Sequence, residues 1–209
     1  MKLLREYIRE LLTESVDPKI MSMIDKAEAK GLRAMVKSGY AAVYDPTIDV
    51  SKYYDGYVGS VNRVAGVSWD PDPGSANVPC AGARQVSVSG SKDFGMGPLA
   101  YDLAIEASGG LMSDRLQVSS DARAVWDYYM NNRSDVEAVQ MDDPKNTLTP
   151  GEEDNCDQEV AGGPHTSYGG DKDFGSGWID HPLSKMYRKS GTPVMDELRR
   201  RNMLDGDLA

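Results

Sequence analysis

Apolar residues recur along this chain at two spacings, and the switches between them mark out its elements. Met1 to Glu14 places Leu3, Leu4, Tyr7, Ile8, Leu11 and Leu12 on one face and Lys2, Arg5, Glu6, Arg9 and Glu10 on the other. That is an amphipathic helix, short enough to order only when its apolar face is covered. A second helix follows over Ser15 to Lys30. It is started by Asp17-Pro18, striped by Ile20, Met21, Ile24 and Ala27, and ended by Gly31. Leu32 to Asp45 reads as strand, Ile48 to Tyr54 as loop or short helix, and Tyr57 to Trp69 as a second β stretch, closed by the breaker run Asp70 to Gly74.

The central block runs from Arg84 to Asn132. Arg84 to Ser89 alternates polar and apolar residues, as a half-buried strand does. A turn with two glycines comes next, Lys92-Asp93-Phe94-Gly95-Met96-Gly97, and then a helix with Pro98 in its first turn. Leu99, Leu103 and Ile105 form its buried stripe, which leaves Glu106 on the exposed face. Gly110 to Arg115 reads as strand, Asp121 to Asn131 as helix, and Asp135 to Asp142 as one more strand. Beyond it, Asp143 to Gly163 is polar and rich in Pro and Gly, and His165 to Gly177 continues it. Trp178 to Tyr187 has apolar anchors suited to docking, and Pro193 to Leu204 is a terminal amphipathic helix.

This pattern predicts an α+β fold, a mostly antiparallel sheet flanked by helices. It divides the chain into a segment over 1–14, a domain over 15–142, and an acidic loop with a docking extension over 143–209. A length of 209 residues suits one domain with appendages. The net charge of -10 argues against a protein that neutralises many nucleic-acid phosphates. No apolar run approaches the length of a membrane span, and the N-terminus lacks a secretory signal's apolar core. Cys80, Cys156, His165 and His181 have no zinc-ligand spacing, so no metal is expected. Trp69, Trp126 and Trp178 read as core anchors.

The candidate chemistry lies at the glycine turn. A glycine turn bent onto a helix N-terminus presents free backbone N–H groups and the positive end of a helix dipole, which suits an anion, usually phosphate. The motif has an echo, Lys172-Asp173-Phe174-Gly175-Ser176-Gly177, whose flanks do not match. With its neighbours, the turn resembles the acetyl-CoA signature of the GNAT family of N-acetyltransferases. In that family, Arg/Gln-x-x-Gly-x-Gly/Ala between strand and helix holds the cofactor's pyrophosphate. The resemblance covers about residues 84 to 142. It implies a GNAT-like fold, acetyl-CoA as cofactor, and contacts from Lys92, Asp93, Phe94, Gly95, Met96 and Gly97. The run SDRLQVSSDARAVWDYY is especially like phage-encoded acetyltransferase-like domains. Many members carry a tyrosine in the last helix to protonate the leaving thiolate. Trp126 stands at that position here, with Tyr128 and Tyr129 close by. Asp114, at a strand end, either faces a substrate amine or pairs locally with Arg115. Asp70 and Glu106 are the remaining carboxylate candidates.

The first fourteen residues resemble the capsid-targeting segments of phage internal head proteins. Leu12-Thr13-Glu14 fits the Leu/Ile-x-Glu signature of the prohead protease, with cleavage after Glu14. That resemblance implies the prohead scaffold or capsid interior and the protease as partners, and the virion interior as location. Three readings stay open. They are a packaged acetyltransferase-like protein acting on an unknown amine, a virion structural or interaction protein that keeps the fold without the chemistry, and an enzyme of the infected cytoplasm.

Overall fold

The computed structural model describes residues 16–48, 62–70, 83–91, 95–114, 118–142, 150, 155 and 181–206. The 1–14 helix, Lys92 to Phe94, Arg115, the echo motif, both cysteines, His165 and Trp178 lie outside them. The described elements are four helices and eight strands in one mixed sheet. The α+β class is as expected, and five of the seven strand pairings are antiparallel.

Helix α1 (Pro18–Ala29) begins at Asp17, whose carboxylate accepts from the Lys19 and Ile20 amides at 2.9 and 3.2 Å. It buries Ile20, Ile24 and Ala27, spaced for one face. Strands β1 (Arg33–Lys37) and β2 (Tyr40–Tyr44) form a hairpin closed by Ser38 and Gly39. Gly39 has φ +73°, a conformation glycine adopts at no steric cost. Strands β3 (Arg63–Trp69) and β4 (Arg84–Ser91) extend the meander antiparallel.

Helix α2 (Gly97–Ser108) crosses from β4 to the two-residue strand β5 (Leu111–Met112), which runs parallel to β4. Every residue from Leu99 to Glu106 is buried, because α2 packs on β2 and β3 on one side and on α1 and α4 on the other. Helix α3 (Ser120–Asn132) and strand β6 (Glu137–Gln140) follow. A short 3-10 turn, Pro182–Ser184, leads into β7 (Lys185–Arg188), and α4 (Pro193–Arg200) leads into β8 (Leu204–Asp205). The sheet order is β6-β7-β5-β4-β3-β2-β1-β8. The C-terminal residues expected only to dock on the core therefore supply an interior strand, β7, and a parallel edge strand, β8.

Charge ties α4 to α1, as strand pairing ties β8 to β1. Arg201 donates to Glu197, to Asp25 and to Glu28 at 2.6 to 2.7 Å, joining α4 to α1. Hydrogen bonds from Arg200 and Arg201 hold the Glu197 carboxyl down to about 2, against an ordinary 4.5. A depressed acid contributes stability above its unfolded pKa and loses it as pH falls through the folded one. Between pH about 4.5 and about 2, the melting temperature of wild type is expected to fall more steeply than that of Glu197→Gln. Thermal unfolding across that range checks this, and parallel slopes would reject it.

Candidate functional site

Strand β4 is irregular where it meets β5. Its pairing with β3 steps from Ser68 opposite Val88 to Trp69 opposite Val86, so β4 holds one residue more than its partner. Such a bulge bends a strand and re-aims its side chains. On the other side, β5 pairs only with Arg84 and Gln85, at the start of β4.

A cavity of about 590 Å³ lies further along β4. Its floor is β3 and β4, at Gly66, Val67, Ser89 and Gly90. One wall is the start of α2, at Gly95, Gly97, Pro98 and Tyr101. The facing wall is the start of α3, at Ser119, Asp121, Ala122 and Val125. Gly66 and Gly90 are cross-strand partners.

The two helix starts differ. Ser119 caps α3 by accepting from the Ala122 amide at 3.2 Å, and Asp121 adds an acid to the first turn. Met96, at the N-cap of α2, makes no side-chain capping bond, and no acid lies in that first turn. Gly95 turns the chain with φ +64°, a conformation that strains any residue with a Cβ. Among the described residues no side chain caps the α2 amides. Of the turn residues expected to hold a cofactor, Gly95 and Gly97 line the cavity. Met96 has 0% of its surface exposed and its carbonyl accepts from Ala100 at 3.2 Å, so its side chain anchors the turn in the core.

The expected catalytic residues lie away from this lining. Tyr128 is half-buried on the outer side of α3, its hydroxyl donating to Asp17 at 3.3 Å and its ring under the Lys19 ammonium at 4.1 Å. Asp114, just past β5, accepts from Gln85 Nε2 at a long 3.5 Å. Tyr129 is wholly buried, its single hydroxyl hydrogen placed between two acceptors, Asp102 Oδ1 at 2.9 Å and the Pro98 carbonyl at 3.0 Å. Burial and then the Asp102 charge hold its hydroxyl well above the ordinary tyrosine range. Trp126 is buried, edge-on to Tyr101 with ring centroids 5.2 Å apart and stacked on Tyr187 at 5.0 Å. Trp126 and Trp69 are core anchors, as expected.

Glu106, expected on an exposed face, is buried. It accepts from the Val194 and Met195 amides at 3.0 and 2.9 Å and from Lys189 at 3.0 Å, so it caps α4. These partners lie more than eighty residues on in the chain, and nothing local in the sequence announces them. Lys189 also reaches Asp102 at 3.6 Å and Asp135 at 3.4 Å, and Arg133 meets Asp102 at 3.0 Å and Asp135 at 2.7 Å. The side chains of Lys189, Arg133, Asp102 and Glu106 are all fully enclosed. Burial opposes ionisation of Asp102 and Glu106 and raises both carboxyls, although Lys189 pulls each of them back. Burial also opposes the Lys189 charge, but Asp102 and Glu106 outweigh it and raise that group too.

The residues that sequence reasoning missed are Ser89 and Tyr101. Both line the cavity, and their hydroxyls hydrogen-bond to each other at 2.9 Å. Burial pushes the Tyr101 hydroxyl up to about 12. The alternating serines of β4 were the available signal, but the bulge decides which of them faces inward. Among the described residues no group of three or more His, Cys, Asp or Glu side chains could hold a metal, and no helix is long and apolar enough to cross a membrane.

Comparison of the chain with family models gives no match, and neither does comparison with curated proteins or with solved structures.

The enclosed cluster and the exposed pair beside it are expected to behave differently. Lys189→Ala leaves Asp102 and Glu106 without their shared cation and should cost roughly 3–5 kcal/mol. Arg188 pairs with Glu137 at the surface, with side chains 48% and 61% exposed, and Arg188→Ala should leave stability close to wild type. Urea unfolding of the two variants tests this, and equal losses would contradict it.

Proposed function

We propose that the cavity between β4, α2 and α3 binds acetyl-CoA and that the chain is a GNAT-like acetyltransferase-like protein of phage origin. The observation that carries this reading is the start of α2. A left-handed glycine turn leads into a helix with no side-chain cap among the described residues, and both open onto the cavity over β3 and β4. Anionic phosphates suit such a helix start, where the dipole and free amides point the same way. The element order strand, glycine turn, helix, strand, helix supports the same reading, since it is the order the resemblance implies.

In this reading a substrate amine attacks the acetyl carbonyl carbon and a C–N bond forms. The intermediate then collapses, the C–S bond breaks, and the amine's proton ends on the departing thiolate. The product pair is an acetylated amine and CoA. The N-terminal segment directs the protein to the capsid interior through the prohead scaffold, and the prohead protease removes it after Glu14.

Two observations favour a second reading, in which the site binds without transferring. Trp126, at the expected proton donor's position, is packed among aromatic rings, and the Tyr129 hydroxyl is committed to Asp102 and Pro98. Here the protein is a virion structural or interaction component that keeps the fold.

Calorimetry with acetyl-CoA tests the shared premise. Micromolar binding is expected for wild type, weakened at least tenfold by Gly97→Glu, which puts a carboxylate at the uncapped helix start. Binding that is undetectable, or that the substitution leaves unchanged, rejects the cofactor role. For the packaging step, mass spectrometry of purified virions should find the protein beginning at Ser15. Detection only outside virions, beginning at Met1, rejects it.

A further inference from the structure

The glycines in the cavity floor also have a far side. Gly66 pairs across the sheet with Ala42 and with Gly90. A Cβ on Gly66 would lie 2.7 Å from Arg63 Cδ and 3.3 Å from the Tyr40 hydroxyl oxygen, and one on Gly90 would lie 3.6 Å from Arg63 Nη2. The Arg63 side chain thus runs along the sheet, over Gly66 to Gly90, through space that a side chain on Gly66 would close. Successive residues of a strand face opposite sides. Val67 and Ser89, paired with each other and each one step from these glycines, therefore turn to the cavity while Arg63 and Tyr40 lie behind its floor. On that far side, Arg33 is paired with Asp205 at 2.5 Å and the Tyr44 hydroxyl donates to the same carboxylate. Arg63 and Tyr40 are both half-buried, and neither has a hydrogen-bond or ion-pair partner among the described residues. Gly90, under the end of the guanidinium, is exposed, and so is Lys37, which pairs with Tyr40 and shares its face.

We propose that Arg63 and Tyr40 form a second anion site, on the sheet face opposite the cavity, that takes the phosphate of a phosphomonoester. The site goes beyond the acetyl-CoA reading and does not depend on it. A guanidinium offers N–H donors in a planar fork that matches two oxygens of an oxyanion. The tyrosine hydroxyl beside it can give its hydrogen to a third oxygen. A phosphomonoester has three terminal oxygens, whereas a phosphodiester or a carboxylate has two. Lys37 adds positive charge to the same face. The glycine pair fixes the path of the guanidinium, so the site is built by the sheet and is more than an excess of charge.

Nitrogen-15 NMR of the full chain reads this site directly, with the Gly66 and Gly90 amides and the Arg63 Nε–H as reporters and methyl phosphate as the probe. Methyl phosphate is expected to move all three signals to saturation, with a dissociation constant of about 1 mM. Dimethyl phosphate and acetate at the same ionic strength are expected to bind at least about tenfold more weakly. Arg63→Gln removes charge and fork together and should weaken methyl phosphate at least about tenfold, and Arg63→Lys, which keeps only the charge, about fivefold. Tyr40→Phe should cost about threefold for methyl phosphate and nothing for dimethyl phosphate. Gly66→Ala leaves every charge in place but pushes Arg63 off its path, and a loss of about tenfold there separates a built site from net charge. It reaches the guanidinium independently of Arg63→Gln, so misfolding of one variant leaves the other to decide. Shifts that do not saturate, that dimethyl phosphate or acetate reproduces equally, or that persist in Arg63→Gln overturn the proposal. Loss of the methyl phosphate response in Gly97→Glu would assign it to the cavity and overturn the second site. Failure of acetyl-CoA to bind removes the cofactor reading and leaves this site standing.

Discussion

The structure depends on the burial of α2 with two carboxylates inside it. A helix enclosed on all sides normally carries apolar residues all round. Asp102 and Glu106 break that rule, and each must meet a partner or leave a charge uncompensated in the interior. Lys189 and Arg133 answer Asp102. The amide ends of α4 and the Lys189 ammonium answer Glu106. The neighbouring elements thus fit α2 in one orientation, because any rotation of the helix would strand a charge. Apolar packing against β2 and β3 supplies attraction, and the ionic contacts supply uniqueness.

That fixed orientation reaches the cavity. The Tyr129 hydroxyl lies within hydrogen-bonding distance of both Asp102 and the Pro98 carbonyl, so the same cluster touches the first turn of α2. The turn is held from the other side by Met96, sunk into the core. A helix start meant to receive an anion has to keep its amides aimed, and here the aim is set by contacts behind the wall. The sheet contributes the opposite surface, where small residues and a bulged strand leave room.

The local patterns in the sequence were enough for all four described helices and for β3 to β6, whereas the hairpin of β1 and β2 was read as strand from Leu32 to Asp45 without its turn. Asp17-Pro18 and Gly31 are punctuation whose meaning does not depend on the rest of the chain. The glycine turn was readable as a site for the same reason, since its chemistry is that of its own backbone. Strand β7 was not legible. Lys185–Arg188 is four residues long with a cation at each end, and only its place between β5 and β6 makes it a strand. Glu106 was misread because helical periodicity sorts residues into two faces, and α2 has no outer face. Tyr129 looked like a proton donor by its position near Trp126, but one step round the helix aims it into the charge cluster. Ser89 and Tyr101 were missed because their meeting joins β4 to α2, and the serines at alternate positions of β4 do not say which of them makes that contact.

The place of β7 bears on how the molecule comes into being. Strand β5 pairs with β4 through only two residues, and its other neighbour is β7, some seventy-five residues later in synthesis. A nascent chain that has emerged as far as α3 can assemble the meander of β1 to β4, but it holds an open sheet edge and an unpaired Glu106. Closure awaits residues 185–200, which bring the missing strand, the cation and the helix that Glu106 caps. Such long-range contacts are slow to form and leave an aggregation-prone interval. Ribosome stalling or truncation before Arg188 is therefore a greater hazard to this protein than loss of a comparable length from a surface loop, because the final segment completes its interior.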